Sequence, residues 1–165
     1  MKQQLLTHAQ IEQKVLRIAY QVYEHNFDES ELYLIGIQDS GYRFAELLWA
    51  ELAAIAPFRL HLWSLQLDKV QPTQSRVELS DAVEQLAQKS VLLIDDVLNT
   101  GRTLAYSFKP FLGVPIKRLQ TAVLVNREHH LFPVSADFSG YELATTLQEH
   151  IHVELKGEEY GVFLT

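Results

Sequence analysis

The stretch VLLIDDVLNTGRT, residues 91–103, decides the fold that this chain is expected to adopt. It begins with an apolar run, which is typical of a short strand buried inside a sheet. Two adjacent carboxylates, Asp95 and Asp96, end that run, and a turn rich in threonine and glycine follows at once. Because a buried charge costs free energy unless it is paired, we expect these two acids to serve a binding site.

The rest of the chain alternates between strand and helix patterns on both sides of this stretch. Apolar or alternating runs predict strands at 32–37, 58–65, 91–96, 117–126, 151–155 and 159–164. Helical spacing predicts helices at 8–26, at 41–54, at 80–88, and from near Thr100 to a stop or bend at Pro110. Thr7 and Gln10 form a capping-box pattern before the first helix, and Ser80 is the predicted cap of the third.

This alternation predicts an α/β fold with a single domain over residues 1–165. The strands are expected to form a mainly parallel twisted sheet with helices on both faces. Ligands of such sheets bind beyond the carboxyl ends of the strands. The loops 36–41 and 95–103 are both predicted at that edge.

The composition narrows the class of partner. Lys and Arg total 14 against 21 Asp and Glu, and the net charge of −7 argues against a general binder of nucleic acids or membrane surfaces. The chain has no cysteine, so neither a disulfide framework nor a thiolate metal site is expected. No apolar run approaches about 18 residues, so we expect no membrane span. The seven histidines show no metal-ligand spacing.

The turn after the acid pair has the chemistry of a phosphate cradle. A helix N-terminus offers unpaired N–H groups and about half a positive charge. Gly101 lets the backbone approach a ligand, and Thr100 and Thr103 can donate hydroxyl hydrogen bonds. No Gly-Lys pair follows, so a monophosphate is expected rather than a triphosphate.

The acid pair suits the other end of such a ligand. Ionised Asp95 and Asp96 accept hydrogen bonds and do not donate them, which suits the two hydroxyls of a ribose. A phosphate beside a diol describes a ribose 5-phosphate, and carboxylates near phosphate also help to hold Mg²⁺. A less specific interpretation stays open, in which the acids only end a strand and cap a helix.

The same stretch resembles the phosphoribosyl-pyrophosphate (PRPP) motif of type I phosphoribosyltransferases. That motif has four apolar residues, two acidic residues, two apolar residues, one variable residue and T-G-x-T, and residues 91–103 match it in full. The segment LYLIGIQDSGYRFAELLWAEL resembles the early strand–loop–helix of the family. The segment LQTAVLVNREHHLFPVSADFSGYEL resembles the bifunctional uracil phosphoribosyltransferase and pyrimidine-operon attenuator group.

The resemblance implies the type I phosphoribosyltransferase fold, with a small hood near the C-terminus. It implies an enzyme in which a nucleobase, pyrimidine or purine, displaces pyrophosphate from C1 of PRPP with Mg²⁺. The implied ribose and 5-phosphate residues are Asp95 and Asp96, which are also the implied catalytic residues, with Val97, Leu98, Asn99, Thr100, Gly101, Arg102 and Thr103. The implied pyrophosphate loop is Ile37, Gln38, Asp39, Ser40 and Gly41. The implied base pocket is Ala136, Asp137 and Phe138, acting through backbone groups.

The resemblance also implies partners and a location. PRPP and a nucleobase or nucleoside monophosphate would be the ligands, the chain would form a homodimer, and it would be cytoplasmic. Tyr42, Phe44 and Trp63 are expected either at that interface or in the core. We expect no RNA regulation, because the sequence shows no basic face.

The early loop departs from the resembled group. Its usual G-I-K-x-R-G appears here as G-I-Q-D-S-G, so Gln38 and Ser40 replace two cations and Asp39 adds a negative charge. Asn99 and Asn126 also differ from that group. The 65–76 loop lacks the usual Y-R-D-D string, and its cations are Lys69 and Arg76. An alternative therefore stays open, a PRPP- or nucleotide-binding regulatory protein with weakened or lost catalysis.

Overall fold

Two sheets organise the computed structural model, which describes residues 2–68, 70, 73, 76–146 and 148–165. The strands are β1 (Gln3–Leu6), β2 (Glu31–Ile37), β3 (Arg59–Leu67), β4 (Val77–Leu79), β5 (Ser90–Leu98), β6 (Arg118–Arg127), β7 (Phe138–Leu143), β8 (Ile151–Glu154) and β9 (Gly161–Leu164). The helices are α1 (His8–Asn26), α2 (Ser40–Ile55), α3 (Arg102–Ser107) and α4 (Lys109–Leu112).

The larger sheet has six strands in the order β4-β3-β2-β5-β6-β7. All neighbours in it are parallel except β4, which is antiparallel to β3 at the edge. Strand β5 lies in the middle and is buried through most of its length, as the apolar run predicts. Its central position brings the acid pair to the middle of the carboxyl edge.

The smaller sheet is the hood, the antiparallel strands β1, β9 and β8. Arg43 of α2 fastens it to the larger sheet, since its guanidinium donates to the Leu155 carbonyl and the Tyr160 hydroxyl, both at 3.0 Å. The Tyr160 N–H also donates to His8 Nδ1 at 2.9 Å, at the start of α1. The hood therefore depends on contacts between the two ends of the chain.

Helices cover both faces of the larger sheet. On one face α1 and α2 pack the stripe Ile11, Val15, Ile18, Phe44 and Leu48 onto the strands. On the other face, Leu104 of α3 and Phe111 of α4 pack against side chains of β2, β5 and β6. The predicted mainly parallel α/β sheet with helices on both faces is thus confirmed.

The bounds of the first helix were predicted correctly because a local capping motif determines where it begins. Thr7 Oγ1 accepts the Gln10 N–H at 3.3 Å, and the Gln10 side chain accepts the Thr7 N–H at 2.9 Å. This reciprocal capping box begins α1 at His8, and the helix ends at Asn26, as the sequence predicts.

Two predicted helices differ from the structure. The helix over 80–88 is wrong: the structure has one turn of 3₁₀-helix (Val83–Leu86) there, and the Ser80 hydroxyl accepts the Ser64 N–H of β3 instead of capping. The helix after the 97–103 turn is interrupted at Phe108, before Pro110. Pro110 lies in the first turn of α4, where its missing N–H costs no hydrogen bond.

Two further features complete the fold. Strands β1, β4 and β7 were not predicted, and all three lie at the edges of their sheets. Phe44 and Trp63, expected either in an interface or in the core, are core residues at 0% and 5% exposure, whereas Tyr42 is half-buried. In the part of the chain that the structure describes, no helix is long and apolar enough to span a membrane.

Candidate active site

A cleft opens at the carboxyl end of β5, where the chain turns into α3. Its volume is about 360 Å³, and residues 95–104 line it together with Ile151 of the hood. The whole predicted ribose and 5-phosphate stretch therefore borders one space. The strand continues to Leu98, two residues beyond its predicted end, so the acid pair lies within β5.

The two carboxylates of the cleft differ in burial. Asp95 is 2% exposed, and its Oδ1 accepts the Asp96 N–H at 2.9 Å. Asp96 is half-buried, and its Oδ1 accepts the Val97 N–H at 2.9 Å. Both acids are thus oriented by the backbone of their own strand, and Asp96 is the more accessible to a ligand.

The 97–103 turn requires glycine at one position. Gly101 has φ of +89°, in the left-handed region that L-residues rarely adopt. A Cβ there would stand 2.5 Å from Cγ2 of Val134, which is too close for any side chain. Thr100 Oγ1 accepts the Arg102 N–H at 3.3 Å, which closes the turn just before α3.

The 37–41 loop meets the acid pair directly. Gly41, in the first turn of α2, lies so close to β5 that a Cβ would stand 2.8 Å from Asp95 Oδ1 and 2.9 Å from Asp95 Cα. The structure therefore brings together two segments that the sequence placed only at the same edge. The peptide bond between Gln38 and Asp39 is cis.

The surroundings of the 37–41 loop are acidic. A second cavity, of about 520 Å³, is lined by Gln38, Asp39, Gln66, Leu67, Asp68, Arg76 and Glu78. Arg76 Nε lies 3.1 Å from Glu78 Oε1, so its charge is shared with a carboxylate, and its side chain is 89% exposed. Lys69, the other predicted cation of this region, lies outside the described residues. The Asp39 side chain makes no capping hydrogen bond to α2.

The structure does not bring the predicted base pocket to the cleft. Ala136, Asp137 and Phe138 lie at the start of β7, and Phe138 is level with Ala122, inside the sheet. Asp137 Oδ2 accepts the Thr121 N–H at 2.8 Å, and Phe138 is 3% exposed in the core. Through β6, Phe138 is level with Ile94, one residue before Asp95, but none of the three residues lines the cleft.

The hood contributes to the cleft a residue that was not predicted as a site residue from the sequence. Ile151, the first residue of β8, completes the wall of the cleft beside the 95–104 stretch. The sequence indicated a strand at this position but carried no signal of which sheet it joins. Its pairing partner is Leu164 of β9, and that long-range pairing decides where its side chain lies.

The carboxylates of the cleft fit the chemistry of Mg²⁺. This ion prefers oxygen ligands and is commonly bound by one or two carboxylates together with substrate phosphates and water. Within residues 2–68, 70, 73, 76–146 and 148–165, no three His, Asp or Glu side chains are grouped so as to hold a metal. The donor set therefore suits an ion that a phosphorylated substrate brings with it.

Comparison with known proteins decides the family. The model of the phosphoribosyl transferase domain matches residues 1–156. The chain belongs to the phosphoribosyltransferase family. The family predicted from the 91–103 motif is thus confirmed, and with it the predicted class of enzyme, a PRPP-dependent phosphoribosyltransferase.

Related proteins cover nearly the whole phosphoribosyltransferase. The bifunctional protein PyrR of Chloroflexus aurantiacus is 32% identical over 163 residues, which is 94% of this chain and 89% of that protein. The bifunctional protein PyrR of Deinococcus deserti is 33% identical over 162 residues, covering 93% of this chain and 88% of that protein. These relatives confirm the predicted similarity to the bifunctional uracil phosphoribosyltransferase and attenuator group.

Solved structures confirm the fold. A hypoxanthine-guanine phosphoribosyltransferase from Bacillus anthracis has a TM-score of 0.74 at 20% identity, covering 90% of this chain and 84% of that one. The hypoxanthine phosphoribosyltransferase of Trypanosoma cruzi has a TM-score of 0.74 at 19% identity, covering 86% and 81%. These similarities concern the fold and leave the base open.

Proposed function

We propose that the cleft at the end of β5 transfers the 5-phosphoribosyl group of PRPP to a nucleobase, with the ligand spread over the two loops that meet there. The 5-phosphate would lie in the 97–103 turn, the ribose over Asp95 and Asp96, and the pyrophosphate at 37–41. The observation that supports this most strongly is the close approach of Gly41 to Asp95, where a Cβ on Gly41 would stand 2.8 Å from Asp95 Oδ1. This close packing of the 37–41 loop against Asp95 is what the proposal requires of a leaving-group loop beside the ribose acids.

The 97–103 turn suits a phosphate monoester. Its backbone N–H groups precede α3, Thr100 and Thr103 carry hydroxyls, and Arg102 adds the only guanidinium among the residues that line this cleft in the described chain. Gly101 keeps the backbone free of a Cβ at the centre of the turn. Together these groups neutralise and orient the 5-phosphate.

The difference in burial assigns different tasks to the acids. Half-buried Asp96 is the group that accepts hydrogen bonds from the ribose hydroxyls. Buried Asp95 orients the Asp96 backbone through its 2.9 Å hydrogen bond and contacts α2, so it couples the ribose position to the 37–41 loop. Both carboxylates also stabilise positive charge on the sugar.

The transfer breaks the bond between C1 and a pyrophosphate oxygen, forms a bond between C1 and a ring nitrogen of the base, and releases the proton of that nitrogen to water. Positive charge develops on C1 and the ring oxygen as the first bond lengthens, and the carboxylate pair stabilises it. Negative charge develops on the leaving pyrophosphate, which the backbone N–H groups at the start of α2 partly stabilise. Bound Mg²⁺ would supply the remaining charge neutralisation at the leaving group.

The base is proposed to lie against Ile151 rather than against the 136–138 segment. Ile151 lines the cleft, whereas Ala136, Asp137 and Phe138 are not among the residues that line it. An apolar side chain supports the face of any base equally, so Ile151 leaves the choice between pyrimidine and purine open.

The acidic surroundings of the 37–41 loop favour a second candidate function. Asp39, Asp68 and Glu78 line one cavity with Arg76 as the only cation among its described residues. Hydrogen bonds to charged groups are worth about 1.5–3 kcal/mol each, so the loss of two cations weakens pyrophosphate binding strongly. The second candidate is therefore a protein that binds PRPP or a nucleotide as a regulator and turns over slowly.

One experiment separates the two candidates. PRPP binding with Mg²⁺ is measured by calorimetry, and pyrophosphate release is then followed with uracil, hypoxanthine, guanine and xanthine in turn. Binding with release on one of these bases supports the enzyme, and binding without release on any base selects the regulator. The absence of PRPP binding contradicts both.

The proposal includes five further predictions. The enzyme requires Mg²⁺, forms a homodimer, is cytoplasmic, consists of one domain over residues 1–165, and does not regulate through RNA. The net charge of −7 supports the last of these.

A further inference from the structure

A segment far along the chain from the motif packs against the 97–103 turn. This bracing segment comprises residues 131–134, in the connection between β6 and β7. The N–H groups of Leu131 and Phe132 both donate to the Thr100 carbonyl, at 2.8 and 3.0 Å. The carbonyl is therefore held from outside the turn by two donors.

Side chains of the bracing segment add to this contact. Val134 Cγ2 stands 2.5 Å, and Phe132 Cβ 3.3 Å, from the point where a Cβ of Gly101 would lie. Arg102 places its guanidinium carbon 5.7 Å from the centre of the Phe132 ring, within cation–π range. The ring of Tyr106, one turn later in α3, lies 6.3 Å from the same ring.

These contacts reduce the freedom of Arg102. An unrestrained arginine has many rotamers, and ordering it on binding costs up to about 2 kcal/mol. With its guanidinium over an aromatic face, Arg102 already occupies a restricted region beside the cleft that it lines. Part of the cost of ordering the arginine is thus removed before a phosphate binds.

We propose that Phe132 is a positioning residue for the 5-phosphate, acting through Arg102. This inference rests on the proposed function, because it assumes that the 97–103 turn holds a phosphate. Phe132 itself does not border the cleft in the described chain; its ring contacts Arg102 and Tyr106, which flank the turn.

The test compares variants of the bracing segment by calorimetric titration with ribose 5-phosphate and, separately, with inorganic pyrophosphate. Phe132→Leu removes the aromatic face and keeps an apolar side chain. It is expected to weaken ribose 5-phosphate binding by about three- to fivefold, the size of an exposed cation–π contact. Pyrophosphate binds at 37–41 in this proposal, so its affinity should not change.

Two variants serve as controls for chemistry and location. Phe132→Trp restores an aromatic face and is expected to restore affinity to within twofold of the wild type. Leu131→Ala changes a neighbouring side chain that is 66% exposed while keeping the backbone donor to Thr100, and should leave the affinity unchanged. In an Arg102→Gln background, Phe132→Leu should cause no additional loss.

The outcomes separate the two levels of the proposal. If the wild type binds no ribose 5-phosphate, the proposed function is contradicted. If the wild type binds it and folded Phe132→Leu binds equally well, the role of Phe132 is overturned and the proposed function stands. An equal loss of affinity in the wild-type and Arg102→Gln backgrounds, or a parallel loss for pyrophosphate, also overturns it.

Discussion

Gly41→Ala tests the contact between the 37–41 loop and the acid pair. The added methyl carbon would lie 2.8 Å from Asp95 Oδ1, 2.9 Å from Asp95 Cα and 3.1 Å from the Ile94 carbonyl oxygen. Two of these three neighbours are backbone atoms of a central strand, which move little. Reaching 3.4 Å, the lower end of ordinary contact, requires about 0.6 Å of separation between α2 and β5.

The substitution is expected to affect stability and activity through different causes. Overpacking typically costs about 1–3 kcal/mol. Replacing glycine by alanine within a helix returns up to about 1 kcal/mol through backbone entropy. A displacement of this size in reacting groups is costly, since about 1 Å of misplacement can reduce the rate a hundredfold. We therefore expect a net destabilisation of about 0–2 kcal/mol and at least a tenfold loss in kcat/KM for PRPP.

The assay pairs urea unfolding with steady-state kinetics, or with PRPP binding if turnover is too slow. Gly113→Ala is the matched control, because a Cβ at Gly113 would meet no atom within 4 Å. That variant should keep wild-type activity and at least wild-type stability. If Gly41→Ala keeps its kcat/KM and PRPP affinity within twofold of the wild type, the close approach of the loops is not a requirement of the site.

Three further predictions concern single side chains. Asp96→Asn should weaken nucleoside monophosphate binding by about tenfold or more, the value of a charge-assisted hydrogen bond, without lowering the melting temperature. Ser40→Arg should strengthen pyrophosphate binding in a calorimetric titration, because it returns a cation to the 37–41 loop. Glu29→Gln should lower the free energy of unfolding at pH 7 by about 1–3 kcal/mol. Burial opposes the shift, but hydrogen bonds from Lys117 and Ser90 hold the Glu29 pKa below its ordinary value of 4.5.

The lowered pKa also determines the direction of the pH effect. A carboxylate with a depressed folded-state pKa stabilises the fold above its ordinary value and loses that contribution as pH falls through the folded value. The wild type should therefore lose more stability than Glu29→Gln when urea unfolding is repeated from pH 5 downward. Equal losses of stability in the two proteins would contradict the ionic role of Glu29.

An unchanged affinity of Asp96→Asn for the nucleoside monophosphate would contradict the role of Asp96. Ser40→Gln is the neutral control for Ser40→Arg, and equal pyrophosphate affinities would contradict the charge argument.

The sequence by itself determined the elements whose causes are local. The capping box and apolar stripe of α1 involve residues three and four positions apart, so its bounds follow from the pattern. The apolar run of β5 and the glycine of the 97–103 turn are equally local, and both lie where the motif indicated. The lack of Lys and Arg in the 37–41 loop is also evident from the sequence alone.

Only the tertiary structure decided which distant segments share the cleft. No local pattern distinguishes the 136–138 segment from the segment that begins at Ile151. In the structure, the first leads into an edge strand of the larger sheet, whereas Ile151 lines the cleft. The approach of Gly41 to β5 and the contact of Phe132 with Arg102 likewise join residues far apart in the chain. Such contacts result from the summed packing of whole elements. Each contact is weak and joins residues distant in the chain, so no local sequence pattern predicts it.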